Sequence, residues 1–182
     1  AGTTADGTAP SAPASLAGDA GTTTVDLAWG AASDDVAVVG YRISRDGTMI
    51  ATTSDLAWSD AARTPLTTYT YSVVALDTVG NASDAVAVTV QTLPDTLHPT
   101  RPLALHKVAR SGAYVTFDWS PSTDNVKVAK YYIYRVGRSA PVAVARISRI
   151  RIATIRGASY YVRAVDTSGN RSAASGSVRG RS

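Results

Sequence analysis

The chain repeats itself. Residues 25–44, VDLAWGAASDDVAVVGYRIS, return at 115–134 as VTFDWSPSTDNVKVAKYYIY, and YSVVALDTVGNAS at 71–83 returns at 161–172 as YVRAVDTSGNRS with a one-residue change in phase. A period near 90 in a chain of 182 residues leaves room for two copies of one fold and little else. Trp29 thereby matches Trp119, Tyr41 matches Tyr131 and Asp77 matches Asp166.

Inside each copy, apolar and polar residues alternate over short runs bounded by Gly, Pro, Asn and Asp, as half-buried strands require. Val25, Leu27 and Trp29 share one face, as do Val115, Phe117 and Trp119, and Tyr41 and Ile43 correspond to Tyr131 and Ile133. No stretch sustains a 3.6-residue period with caps. The fold class is therefore all-β, with roughly seven strands in each copy of ~80 residues, arranged as two packed sheets. The chain has no cysteine, so no disulfide, thiolate metal site or cysteine nucleophile contributes, and packed cores must supply the stability.

Several residues together carry a family resemblance. They are a proline before the first strand of each copy (Pro13, Pro102), the second-strand tryptophan and an S-x-D-x-V loop (Ser33 and Asp35; Ser122, Asp124 and Val126). A third-strand tyrosine follows, and then the pattern Y-x-V-x-A-x-D-x-x-G-N, read in the second copy as Tyr160, Val162, Ala164, Asp166, Gly169 and Asn170. With these the chain resembles tandem fibronectin type III domains of the kind appended to secreted bacterial enzymes. The resemblance implies two seven-stranded immunoglobulin-like β-sandwiches. Pro65, Thr67 and Tyr69 look like that family's tyrosine corner, whereas the second copy has Ala158 where the corner tyrosine belongs.

The expected organisation is a linker-like segment at 1–12, an acidic domain at 13–92, a Pro-containing linker at 93–101 and a basic domain at 102–182. Prolines in QTLPDTLHPTRP (91–102) stiffen the connection toward an extended form, which predicts a fixed spacing rather than a swivelling pair. A start at Ala1 without methionine, followed by an Ala/Gly/Thr/Pro-rich stretch, suits a processed protein or a fragment. No apolar run approaches the ~20 residues that span a bilayer, so membrane insertion is not expected.

Charge is divided between the halves. Up to Leu97, three arginines face eleven aspartates, a net charge of −8; from His98 onward, fifteen Lys and Arg face three aspartates, a net charge of +12. Such asymmetry points to an anionic partner or to the opposite half of another copy. No nucleic-acid motif accompanies the basic half, so a specific nucleic-acid partner is not expected.

The residues argue against catalysis. There is no glutamate, no G-x-S-x-G elbow and no supported Ser/His/Asp set, and His98 and His106 are read as solvent-facing. Asp77, Asn81, Asp166 and Asn170 are read as turn residues in which the aspartate accepts backbone N–H bonds, and the Asp34-Asp35 and Asp124-Asn125 loops similarly, with a weak cation site at the domain end as the alternative. No cofactor or metal is assigned. Trp29, Trp58 and Trp119 are read as core residues.

Two outward surfaces of the second domain remain. Alternation sends Tyr132, Tyr134, Tyr161 and Arg163 outward on neighbouring strands, where the first copy places Arg42, Ser44, Ser72 and Val74. Aromatics interleaved with arginine suit a sugar, a polyanion or a protein contact. On the opposite sheet, RISRIRIATIR (146–156) is aligned so that Ile150 and Ile152 replace Leu56 and Trp58 in the core. Arg149 and Arg151 then point outward, with Arg146 and Arg156 at the ends, as a basic contact stripe that also guards a strand edge. The expected function is a non-catalytic spacer and binding module, secreted or on the cell surface, associated with polysaccharide or another extracellular polyanion. The alternative is a structural protein that self-assembles head to tail into a filament or surface layer.

Overall fold

The structure, a computed structural model, describes residues 6–181, and among these it contains fourteen strands and no helix. The chain divides into two compact units, Ala1–Pro94 and Asp95–Ser182. In the first, β1 (Leu16–Ala20), β2 (Thr24–Trp29) and β5 (Ala57–Ala61) form one sheet in the order β1-β2-β5. The facing sheet holds β3 (Val38–Arg45), β4 (Thr48–Thr53), β6 (Thr68–Asp77) and β7 (Val86–Gln91) in the order β4-β3-β6-β7. The second unit repeats this with β8 (Leu103–Ser111), β9 (Tyr114–Ser120) and β12 (Arg149–Ala153) ordered β12-β9-β8. Its other sheet is β11 (Pro141–Ala145), β10 (Val128–Arg135), β13 (Ser159–Asp166) and β14 (Val178–Arg179), ordered β11-β10-β13-β14.

Alternation places the cores where the sequence puts them. Val25, Leu27 and Trp29 of β2 meet Tyr41 and Ile43 of β3 and Tyr71, Val73 and Ala75 of β6. Val115, Phe117, Trp119, Tyr131, Ile133, Tyr160, Val162 and Ala164 do the same in the second unit. Each indole stands edge-on against a tyrosine, Trp29 on Tyr41 at 5.6 Å and Trp119 on Tyr131 at 5.2 Å. The tyrosine is suited to this place because its hydroxyl ends at a loop. It accepts the Ala32 N–H at 3.0 Å in one unit and the Ser122 N–H at 2.9 Å in the other. An aromatic ring that buries ~150–250 Å² contributes about 4–6 kcal/mol before the cost of ordering it.

The described parts of the lead-in segments belong to the domains, so the expected linkers shrink, while residues 1–5 of the expected 1–12 segment lie outside the described residues. Ser11 N–H donates to the Ser33 carbonyl at 2.8 Å and Thr100 N–H to the Thr123 carbonyl at 2.9 Å, and the division falls between Pro94 and Asp95 rather than at 93–101. Three alignments also move. Val25 faces Asp60 and Leu27 faces Trp58, while Val115 faces Ile152 and Phe117 faces Ile150, so Ile150 and Ile152 correspond to Trp58 and Asp60. Leu56 lies outside β5 and is 43% exposed, not a core residue, whereas Trp58 packs half-buried against the core. Asp34, whose Oδ2 accepts the Val36 and Ala37 N–H groups, is the counterpart of Asp124, which accepts those of Val126 and Lys127; Asp35 is not. In the ladders, Ile43 faces Val73 and Ile133 faces Val162, so Tyr71 corresponds to Tyr160 with no change of phase.

Asp60 is buried beside Tyr71 and two half-buried arginines. Its carboxylate receives Arg45 Nη1 at 2.6 Å, Arg63 Nε at 3.2 Å and the Tyr71 hydroxyl at 2.8 Å. Burial and then the hydrogen bond to Asp60 push the Tyr71 hydroxyl far above the usual phenol pKa, and the bond to Asp60 raises Arg45. The tyrosine corner is present: Tyr69 hydroxyl accepts the Thr64 N–H at 3.1 Å. With Ala158 in the second copy, Tyr160 takes over, accepting the Ile155 N–H at 2.9 Å.

A serine continues the ladder beyond each sixth strand. Ser83 donates its N–H to the Ala75 carbonyl and accepts the Ala75 N–H on Oγ, and Ser172 treats Ala164 in the same way. In the second unit Ser175 repeats the device on Val162. There the regular strand that follows is two residues long, against six for β7. β8 is also irregular, mostly exposed and with two register shifts against β9.

Candidate functional site

The outward face of β10 and β13 is the most developed surface of the second domain. Antiparallel register sets Tyr132 opposite Arg163 and Tyr134 opposite Tyr161, and on the other side of β10 it sets Tyr132 opposite Val144 and Tyr134 opposite Pro141. Tyr134 and Tyr161 stack with centroids 5.1 Å apart and planes 9° apart, and Tyr132 meets Tyr134 edge-on at 6.3 Å. Two cations approach Tyr132: Lys130 Nζ at 5.3 Å and Arg171 Cζ at 5.4 Å from the ring centre. Arg163 Nη1 donates to the Ser172 carbonyl at 2.9 Å, which ties it to the turn after β13.

The four expected residues are thus brought together, with one correction. Tyr134 is only 3% exposed, although it lies outside the core cluster, because Tyr132 and Tyr161 cover it on the outer face. It supports the surface from beneath, and Tyr132, Tyr161 and Arg163 are its half-buried members. Val142 and Val144 of β11 are exposed and extend the face. Lys130 and Arg171 were missed by sequence reasoning. Alternation back from Tyr132 reaches Lys130 directly, but Arg171 arrives from beyond the turn, where no period applies. The first domain has Arg42 opposite Val74 and Ser44 opposite Ser72 at the same places, with no aromatic ring.

On the other sheet, β12 is an edge strand, and Arg149 and Arg151 are exposed on it. Arg149 Nη2 lies 3.3 Å from Asp118 Oδ2, its cross-strand partner, and Arg151 Cζ lies 4.5 Å over the Tyr114 ring. Arg146 and Arg156 are exposed at the two ends. By register the stripe corresponds to Ala57 and Ser59 of the first domain.

Elsewhere the chemistry is muted. Trp29 and Trp119 are buried, and His98 and His106 are exposed. Burial works against a charge on Asp77, but Asn81 Nδ2 and the N–H groups of Val79, Asn81 and Gly80 hold its pKa below the usual carboxylate range. That is the turn role expected for it.

A three-stranded and a four-stranded sheet in this strand order, together with the repeated tryptophan, tyrosine and D-x-x-G-N motifs, make each unit a fibronectin type III domain. The chain thus has the fold of tandem fibronectin type III domains, and no family model matches it. It is 35% identical over 180 residues to Chitinase A1 of Niallia circulans, an alignment covering 95% of this chain and 26% of that protein. It is 36% identical over 185 residues to Exoglucanase B of Cellulomonas fimi, covering 97% of this chain and 17% of that protein. The chain spans about a quarter or less of the length of these relatives. Among solved structures, the two fibronectin type-III domain segment from chicken tenascin is 17% identical, with a TM-score of 0.49 over 92% of this chain and 99% of that one.

Proposed function

We propose that the chain is a non-catalytic spacer and binding module of a secreted or cell-surface bacterial protein, and that the β10–β13 face contacts polysaccharide or another extracellular polyanion. The observation that carries this reading is the aromatic and cationic cluster itself, built at positions where the sister domain has none. Tyr161 offers a ring and a hydroxyl to a sugar, while Lys130, Arg163 and Arg171 attract anionic groups. Similarity across nearly the whole chain to parts of a chitinase and an exoglucanase supports an extracellular, carbohydrate-associated setting. The test is depletion of the purified chain by insoluble chitin, by cellulose and by a soluble anionic polysaccharide on beads, each at low and high salt. Retention should fall in Tyr161→Ala and in Lys130→Ala with Arg171→Ala. Equal retention of these variants and the parent chain would overturn the assignment.

A second reading follows from the −8 and +12 halves. Copies of the chain would join head to tail, the acidic domain of one against the basic domain of the next, with Arg146, Arg149, Arg151 and Arg156 at the contact. Such joins do not close and so build filaments. Sedimentation velocity over a concentration series decides it: growth at low salt that vanishes at high salt, and in Arg149→Asp with Arg151→Asp, supports assembly, and a monomer throughout removes it.

A further inference from the structure

Each domain gathers three aspartates at one end. In the second, Asp95 from the segment before β8, Asp124 from the β9–β10 loop and Asp166 from the end of β13 each bring a carboxylate oxygen to within 4.8 Å of the other two. Asp6, Asp34 and Asp77 repeat the arrangement in the first. None of the six takes part in a salt bridge among the described residues, where the paired aspartates are Asp60 and Asp118.

Turn geometry accounts for only part of these carboxylates. Asp124 Oδ2 accepts the Val126 and Lys127 N–H groups, and Asp95 Oδ1 accepts the Leu97 N–H and Asn125 Nδ2. Their other oxygens, Asp124 Oδ1 and Asp95 Oδ2, are buried without a hydrogen-bond partner, in a residue that is itself only 7% exposed in the case of Asp95. The first domain leaves the same pair over among the described residues: Asp34 Oδ1 beside a bonded Oδ2, and Asp6 Oδ2 beside a bonded Oδ1. A buried acceptor with no partner costs about 1–3 kcal/mol, and neighbouring carboxylates add repulsion. A turn alone gives no return for that cost, and its recurrence at equivalent positions in both copies marks it as a built feature.

We propose that each triad is a calcium site. Oxygens that share one ion at about 2.4 Å lie no more than twice that distance apart, and the oxygens of each triad fall within that limit. The donors are all carboxylate oxygens with no imidazole or thiolate among them, which selects a hard cation over zinc or copper. Three carboxylates from three separate segments suit calcium, which tolerates irregular coordination; magnesium keeps more of its water and takes one or two carboxylates. Bound calcium ties the lead-in segment of each domain to the loop after its second strand and to the turn after its sixth. This is independent of the polysaccharide-binding reading.

The experiment is isothermal titration of the chelator-treated full chain with calcium chloride, paired with thermal unfolding in calcium and in chelator. The expected result is two equivalents bound per chain and a melting temperature that rises with calcium. Asp95→Asn with Asp124→Asn, and separately Asp6→Asn with Asp34→Asn, should each leave one equivalent. In chelator these variants should melt at or above the parent chain, because repulsion is removed; carboxylates that serve only the turns predict the reverse. No saturable calcium binding by the parent chain, two equivalents retained in both double variants, or magnesium bound as tightly as calcium would overturn the proposal. Should a double variant fail to fold, Asp95→Asn alone and the parent's stoichiometry still decide.

Discussion

Ile152 stands opposite Val115 in the place where Asp60 stands opposite Val25. One copy of the fold closes this corner with a buried carboxylate, two arginines and a tyrosine hydroxyl, and the other closes it with an aliphatic side chain. The substitution frees Tyr160 to hold the Ile155 N–H, the task done by Tyr69 in the first domain.

Removing the carboxylate strands its partners. Asp60→Ala is expected to destabilise the first domain by about 3 kcal/mol, the lower part of the range for broken buried pairs, since Arg45 can still turn to water. Scanning calorimetry should show the first-domain transition falling while that of the second stays in place.

Tyr71 sets an alkaline dependence. Its folded pKa is raised above the 10.0 of an unfolded tyrosine, so the unfolded chain releases this proton first and the stabilisation present below pH 10 is lost as pH rises further. Urea midpoints of the first domain measured upward from neutral pH should fall above pH 10, and Tyr71→Phe should flatten that fall.

The aromatic face separates folding from binding. Tyr134→Ala should cost about 3–5 kcal/mol of second-domain stability, as for other buried rings, whereas Tyr161→Ala should cost less and reduce retention on polysaccharide. Denaturant unfolding beside the depletion assay distinguishes the two.

Neutralising the β12 arginines should scarcely affect stability. Arg149 and Arg151 are exposed, so Arg149→Ala with Arg151→Ala is expected to shift unfolding by no more than about 1 kcal/mol. A larger loss in thermal unfolding would mean that the Asp118 and Tyr114 contacts carry the strand.

The strands and both cores were legible because alternation and repetition acted together at Trp29, Tyr41 and their counterparts. Alignment failed at β5 and β12, where Asp60, a charged residue in a core register, conceals the apolar pattern that would have fixed the frame. Tyr134 was placed on the correct face, but the stack that buries it depends on ring geometry, which periodicity does not contain. The recurring serines of GNAS and GNRS were visible as a match, and their reason, a hydroxyl completing a strand's hydrogen bonds, required the fold. A weak cation site at the domain end was legible from Asp34, Asp77, Asp124 and Asp166, but the third member of each triad was not, because Asp6 and Asp95 lie in segments that read as linkers.

Those serines have a mechanical consequence. In the first domain β7 adds six residue pairs along β6 after Ser83, whereas β14 adds two along β13 after Ser172 and Ser175. When the chain is pulled, the last strand of the second domain therefore has two ladder pairs to lose where its counterpart has six.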